Sequence, residues 1–115
     1  MSVWVKNNYD RDFVLKWGGD EYIVEAGEWS LVTDEVANAY FPSEEKLTAN
    51  LPSDKERAIL KLRADIEIYL TRWGSQISDF VALSGNKEED IEQFLKFLSG
   101  FEVTKERPRK RKKNE

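Results

Sequence analysis

The stretch from Ser53 to Gly74 most restricts the fold, because its apolar residues recur at every third or fourth position. This spacing places them on one side of an α-helix of about 20 residues, which is roughly 30 Å long. Ser53 is a suitable N-cap, Glu56 completes a capping-box pattern, and Gly74 suits a left-handed helix end. The sequence therefore predicts a long amphipathic helix whose apolar side is formed by Ile59, Leu62, Ile66, Tyr69, Leu70 and Trp73.

The first third of the chain shows a different period. Short runs of alternating apolar and polar residues are separated by turn-forming residues, and the run Asp12–Trp17 alternates most clearly. Gly18 and Gly19 supply the positive-φ residues of a tight hairpin, and an acidic helix start follows Thr33. These runs predict a meander of three or four antiparallel strands. Together with the later helices, they predict an α+β fold in which an N-terminal antiparallel β-meander packs against a C-terminal helical part.

Charge divides the chain into a body and an arm. Residues 1–104 carry eleven basic and twenty acidic side chains, whereas residues 105–115 carry seven basic and two acidic ones. Residues 105–115 lack the apolar side chains of a core, so we expect a basic C-terminal arm that is extended in isolation. Residues 1–104 are expected to form a single α+β domain, with a β-rich part at 1–41 and a helical part at 53–100. A basic arm on an acidic body indicates that the arm has a partner of its own.

Histidine and cysteine are both absent, which excludes histidine-dependent hydrolases and thiolate metal sites. Carboxylate-only chemistry remains an alternative. However, Asp10 and Asp12 are better explained by a solvated turn, and Glu88–Asp90 by the acidic first turn of a helix that Asn86 caps. We therefore predict a protein that is not an enzyme, with no catalytic residues, no metal ligands and no cofactor. Without a long apolar run or a secretory layout at the N-terminus, we expect a soluble protein with no membrane partner.

Two groups of residues are candidates for binding a partner. Three tryptophans fall on predicted strands, where they indicate either a stacking platform for single-stranded nucleic acid or the half-buried anchors of a core or protein interface. The acidic body favours the second interpretation, because it repels phosphates. The basic arm suits either a protein groove or nucleic acid. The candidate residues are Trp4, Trp17 and Trp29 on the strands, and Lys105, Arg107, Arg109, Lys110, Arg111, Lys112 and Lys113 in the arm.

Residues 3–41 contain a sequence of turns and strands that is similar to that of a known class of protein. A short apolar strand ends in Asn7, the aromatic-rich strand Asp12–Trp17 follows, and a Gly-Gly hairpin leads to a Tyr-Ile-Val return strand. A Glu-Ala-Gly-Glu turn, another apolar strand and an acidic helix start with Ala37 and Phe41 complete the pattern. This segment resembles the N-terminal β-part of small virion structural proteins of tailed bacteriophages.

The resemblance implies a non-enzymatic virion structural protein that binds and reinforces the assembled particle. A capsid decoration or cement protein is the first interpretation, and a head–tail connector or neck accessory is an alternative. Its partners would be other virion proteins, namely major capsid or neck subunits, in a multi-copy assembly. It would be located in the virion after synthesis in the host cytoplasm. A small cytoplasmic nucleic-acid-binding protein that uses its basic arm remains an alternative, as does contact of the arm with packaged nucleic acid.

Overall fold

A computed structural model of the chain describes residues 1–108 and divides into two compact units. The strand unit comprises Met1–Ala37 and the strand that begins at Phe101, and the helical unit comprises Asn38–Gly100. The segregation of strands and helices confirms the predicted α+β class. The strands are β1 (Ser2–Asn7), β2 (Phe13–Trp17), β3 (Asp20–Val24), β4 (Trp29–Thr33) and β5 (Phe101–Thr104), and the helices are α1 (Asp34–Tyr40), α2 (Glu44–Thr48), α3 (Lys55–Trp73) and α4 (Lys87–Leu98).

The strands of the strand unit pair in an order that differs from a simple meander. The β1 strand lies between β4 and β5 in a three-stranded antiparallel sheet, while β2 and β3 pair only with each other. Val3 and Val5 of β1 are buried on one side of the sheet. A strand in the middle of a sheet has partners for its N–H and C=O groups along both edges, which suits a strand this buried. In the sequence, the β2–β3 hairpin therefore lies between β1 and β4, which pair with each other.

The β2–β3 hairpin has the tight turn that the sequence predicts. Gly18 and Gly19 form the two-residue loop, and both have positive φ angles, of 60° and 87°. This is the geometry of a turn whose twist matches that of the flanking strands, and it favours glycine at both positions. The side of the hairpin that carries Phe13 and Leu15 is buried.

The loop that follows β1 is held by one buried polar side chain. Asn7, the last residue of β1, is fully buried. Its Nδ2 donates to the carbonyl oxygens of Arg11 at 2.7 Å and Val24 at 3.0 Å, and its Oδ1 accepts from the backbone N–H of Tyr9 at 2.8 Å. Because a buried amide without partners is costly, these bonds fix the path of the chain from β1 to β2.

The long helix α3 has the predicted length but begins one residue later than expected. Asp54 is its N-cap and accepts from the backbone N–H of Arg57 at 3.0 Å, so the predicted capping box of Ser53 and Glu56 is wrong by one residue. Ser53 and Asp54 both have side-chain oxygens suited to capping, and the carboxylate of Asp54 also interacts favourably with the helix dipole. At the other end Gly74 is the C-cap and has a positive φ of 67°, as predicted, but its ψ of −154° differs from that of the expected left-handed helix end.

Trp73 lies at the centre of the helical unit and is only 2% exposed. Its Nε1 donates to the carbonyl oxygen of Tyr40 at 3.0 Å, and its ring meets those of Tyr40, Phe41 and Phe97 edge-on at centroid distances of 5.0–5.5 Å. Edge-to-face pairs of this kind stabilise a core beyond the area that they bury. Trp73 thus links the end of α1 and the residue after it with α3 and α4.

The helix α4 begins as the sequence predicts. The side chain of Asn86 accepts from the backbone N–H of Glu89 at 3.1 Å, and Ile91, Phe94 and Phe97 are buried along one side. A 3₁₀ turn at Gly74–Ile77 follows α3. Within residues 1–108, every helix is too short or too polar to cross a membrane.

Candidate protein-interaction surface

The three-stranded sheet has one buried side and one side that solvent reaches. Alternation along β1 puts Val3 and Val5 on the buried side and Trp4 and Lys6 on the opposite side. The register then assigns the residues of β4 and β5 that lie directly opposite Trp4 and Lys6 to this second side. We call it the outer sheet face, and it is formed by Trp4, Lys6, Trp29, Leu31, Glu102 and Thr104.

Three large apolar side chains occupy adjacent positions on the outer sheet face. Trp4 lies directly opposite Leu31, and Trp29 lies opposite Lys6, two residues further along β1. Trp4 and Trp29 are therefore diagonal cross-strand neighbours, a spacing that aromatic side chains bridge. Leu31 is 49% exposed, and both tryptophans are half-buried. The outer sheet face therefore presents an apolar centre, with Lys6 and Glu102 beside it.

Both tryptophans of the outer sheet face also have a free donor. Neither the Nε1–H of Trp4 nor that of Trp29 has a hydrogen-bond partner among residues 1–108. The N–H of a tryptophan buried in a core usually has such a partner, as that of Trp73 does. At an interface, the N–H of a tryptophan can instead donate to the other protein. The two indoles therefore have an apolar surface and a donor to offer to a binding partner.

The third predicted tryptophan lies elsewhere in the strand unit. Trp17 ends β2 opposite Asp20, on the same side of that strand as Phe13 and Leu15. It is partly exposed beside the hairpin turn, and the register does not bring it to the outer sheet face. Of the three tryptophans proposed from the sequence, the structure therefore brings two together.

The arm begins where the edge strand β5 ends. Lys105 and Arg107 are exposed, and the backbone N–H of Glu106 donates to Oγ1 of Thr104 at 3.2 Å. The other five predicted arm residues lie outside the part of the chain that the structure describes; they are Arg109, Lys110, Arg111, Lys112 and Lys113. The described basic residues thus continue directly from one edge of the three-stranded sheet.

Of the two acidic residues in the loop before β2, Asp12 has a structural partner. Oδ1 of Asp12 accepts from the backbone N–H of Ala26 at 2.8 Å, which links the start of β2 to the turn after β3. Asp10 is exposed in the preceding loop. Within residues 1–108, no group of three or more acidic side chains lies close enough to hold a metal ion.

Asp90 forms a buried polar cluster that was not predicted from the sequence. Its Oδ1 accepts from the backbone N–H of Ser84 at 2.9 Å, and its Oδ2 accepts from Nε of Arg63 at 3.3 Å. The Ser84 N–H lowers the pKa of Asp90, and the Arg63 guanidinium lowers it further, although burial opposes them. The ion pair joins α3 to the start of α4 and lines a groove between them. Because Asp90 is almost fully buried, we assign the pair to stability. The sequence signal was the spacing from Asp90 to Phe94 and Phe97, which puts a carboxylate on an apolar helix side.

Known proteins give no independent guide to this surface. Comparison of the chain with protein family models, with curated proteins and with solved structures found no match. The function is therefore inferred from the outer sheet face itself and from the resemblance of residues 3–41.

Proposed function

We propose that this chain is a non-enzymatic structural protein that attaches to other protein chains through its outer sheet face. The observation that carries the proposal is the pair Trp4 and Trp29, which lie beside Leu31 on an open sheet face with both indole N–H groups unpaired among residues 1–108. Tryptophan is enriched among the few residues that supply most of the binding energy at protein interfaces. Burying these side chains against a partner removes apolar area from water and gives each donor an acceptor.

The partners that we propose are virion proteins of a tailed bacteriophage, and the role that we propose is capsid decoration or cementing. The resemblance of residues 3–41 supports this assignment, and the same segment contains Trp4, Trp29 and Leu31. A decoration protein needs a small folded body and a surface that adheres to the shell. Attachment at many equivalent positions makes a modest affinity per copy sufficient.

The basic arm adds a second point of attachment. Because β5 is an edge strand, the arm leaves the sheet beside the outer sheet face at Lys105. Two linked contacts raise the total affinity above that of either one, since the second contact forms within the same complex. An acidic groove on a neighbouring subunit is the complementary surface for the arm.

The proposal is tested by adding purified protein back to virus particles that lack it and measuring occupancy by quantitative mass spectrometry. We expect the W4S/W29S variant to bind at least about tenfold more weakly than the unaltered chain, because both aromatic anchors are lost. The matched control is L83S, which removes an exposed apolar side chain from the helical unit and is expected to bind normally. Full occupancy by a folded W4S/W29S variant would overturn the proposal.

The role of the arm is separated from nucleic-acid binding by a second measurement. Mobility-shift titrations at two salt concentrations compare the full chain with a variant that lacks residues 105–115. Seven phosphate contacts by the arm would give a log–log salt slope of order −6 on duplex DNA. We expect no shift at low salt and weaker particle binding by the truncated chain. A steep slope that disappears with the truncation would assign the arm to nucleic acid.

A further inference from the structure

The outer sheet face contains a lysine directly beside its apolar residues. Lys6 lies opposite Trp29, and Trp4, two residues earlier on β1, lies opposite Leu31. The four residues therefore occupy the corners of a rectangle that is about 5 Å wide across the strands and about 7 Å long along them. Lys6 is half-buried, like both tryptophans. A partner that covers the three apolar corners therefore also covers the base of the Lys6 side chain.

The charge of Lys6 has no counter-ion in the described part of the chain. Its Nζ makes no ion pair and no hydrogen bond within residues 1–108. Glu102 is the carboxylate that the register places opposite Lys6, on β5, but its Oε2 accepts from Nδ2 of Asn8 at 3.1 Å. The ammonium group of Lys6 therefore depends on solvent for its hydrogen bonds as long as the outer sheet face is uncovered.

The unpaired polar groups beside Leu31 are all hydrogen-bond donors. Trp4 and Trp29 each have an indole N–H without a partner among residues 1–108, and the ammonium group of Lys6 has three N–H groups. We call Trp4, Lys6 and Trp29 the donor cluster. A protein that covers the donor cluster removes Lys6 from water, and a buried charge is costly unless an opposite charge accompanies it. The covering surface therefore needs acceptors, and one of them has to be anionic.

We propose that the partner places the carboxylate of an aspartate or glutamate against the donor cluster, with apolar side chains around it that pack on Trp4, Trp29 and Leu31. This proposal rests on the proposed function, because Lys6 loses water only when a protein covers the outer sheet face. A backbone carbonyl group would satisfy an indole N–H but would leave the charge of Lys6 without a counter-ion. A carboxylate has two oxygens with about four acceptor positions, so a single one can accept from Lys6 and from an indole N–H together.

A carboxylate suits the surroundings of the donor cluster better than a phosphate does. Glu102 borders the cluster, and residues 1–104 carry twenty acidic and eleven basic side chains. A nucleic-acid strand has a negative charge at every nucleotide, so several phosphates would meet this acidic surface. One carboxylate within an apolar protein segment brings a single charge, which Lys6 matches. The tryptophans then supply most of the affinity, and Lys6 selects the segment and fixes its register.

The first test applies the particle-occupancy measurement to single variants whose folding is checked by circular dichroism. K6M keeps most of the apolar stem and removes the charge, so it should bind at least about tenfold more weakly, because the partner's carboxylate is left without a counter-ion. E102Q should bind at least as tightly as the unaltered chain, because it removes a carboxylate that repels the partner's. The control K16M replaces a lysine of the β2–β3 hairpin whose side chain is 71% exposed, and it should bind normally.

The outcomes separate this proposal from the proposed function. Normal binding by K6M together with weak binding by W4S/W29S would overturn the carboxylate proposal and leave the outer sheet face as the attachment surface. Binding by E102Q as weak as that of K6M would also overturn it, because Glu102 would then be the counter-ion of Lys6. Normal binding by W4S/W29S would overturn the proposed function, and the carboxylate proposal with it.

The second test identifies the anion. Fluorescence anisotropy of a labelled single-stranded oligothymidylate measures its binding to the unaltered full chain and to the W4S/W29S variant. We expect the variant to bind the oligothymidylate no more weakly than the unaltered chain does, because any contact with the basic arm is the same in both proteins. Binding that is at least about tenfold weaker in W4S/W29S would place stacked bases and phosphates on the donor cluster and would overturn the proposal.

Discussion

The two units use the same residue type in opposite ways. In the helical unit, Trp73 is enclosed by aromatic rings and its Nε1–H is bonded to the Tyr40 carbonyl oxygen. In the strand unit, Trp4 and Trp29 are half-buried on an open sheet face, and neither has a hydrogen-bond partner among residues 1–108. Residue type alone does not separate the two roles, but burial and the fate of the indole N–H do. Trp73 stabilises the fold, and Trp4 and Trp29 are available to another molecule.

The largest expected effect is on the helical unit. Replacing Trp73 with alanine should lower the free energy of unfolding by about 3–5 kcal/mol, because it leaves a cavity among Tyr40, Phe41 and Phe97. Urea unfolding followed by circular dichroism measures this loss. If the free energy of unfolding decreases only as much as it does when an exposed residue is replaced, Trp73 is not the centre of the core.

The next effect concerns Asp90. The D90N variant should lose about 1–3 kcal/mol at pH 7, because Arg63 loses its buried carboxylate partner and keeps only the exposed carboxylate of Glu67. The folded pKa of Asp90 is below its unfolded value of about 3.9, so its stabilising contribution is complete above that pH and is lost as the pH falls through the folded pKa. Unfolding measured from pH 7 down to pH 2.5 should therefore show the two proteins converging in acid. A constant difference would contradict the ion-pair assignment.

The end of α3 gives a smaller effect. Gly74 has φ of 67° and ψ of −154°, a backbone conformation that residues with a Cβ rarely adopt. The G74A variant should lose about 1–2 kcal/mol through backbone strain, since no neighbouring atom obstructs the added methyl group. Thermal unfolding is the measurement, and G85A, at another glycine with positive φ, gives a comparison outside a helix end.

The smallest effect on stability is expected for the outer sheet face. W4S should change the free energy of unfolding by about 1 kcal/mol or less, because the Trp4 side chain is only half-buried and lies on the side of β1 opposite the buried Val3 and Val5. The same urea unfolding experiment gives the value. A loss comparable to that of W73A would assign Trp4 to the core and contradict the comparison between the two units.

Local patterns predicted much of the secondary structure. The period of α3, the Gly18-Gly19 hairpin and the Asn86 cap depend on residues close in sequence, and the structure has all three. The strand order was not predictable in this way, because the pairing of β1 with β4 and β5 joins distant segments. Alternation assigns Trp4 to one side of β1, but only the register reveals that Leu31 and Trp29 lie beside it. The pairing of Asp90 with Arg63 likewise depends on how two helices meet.

The most direct test of the account is hydroxyl-radical footprinting of the tryptophans, in the free protein and in assembled virus particles. We predict that Trp4 and Trp29 are oxidised in the free protein and protected in the particle, while Trp73 is unreactive in both states. Equal oxidation of Trp4 and Trp29 in the two states would contradict the assignment of the outer sheet face as the surface that binds a partner.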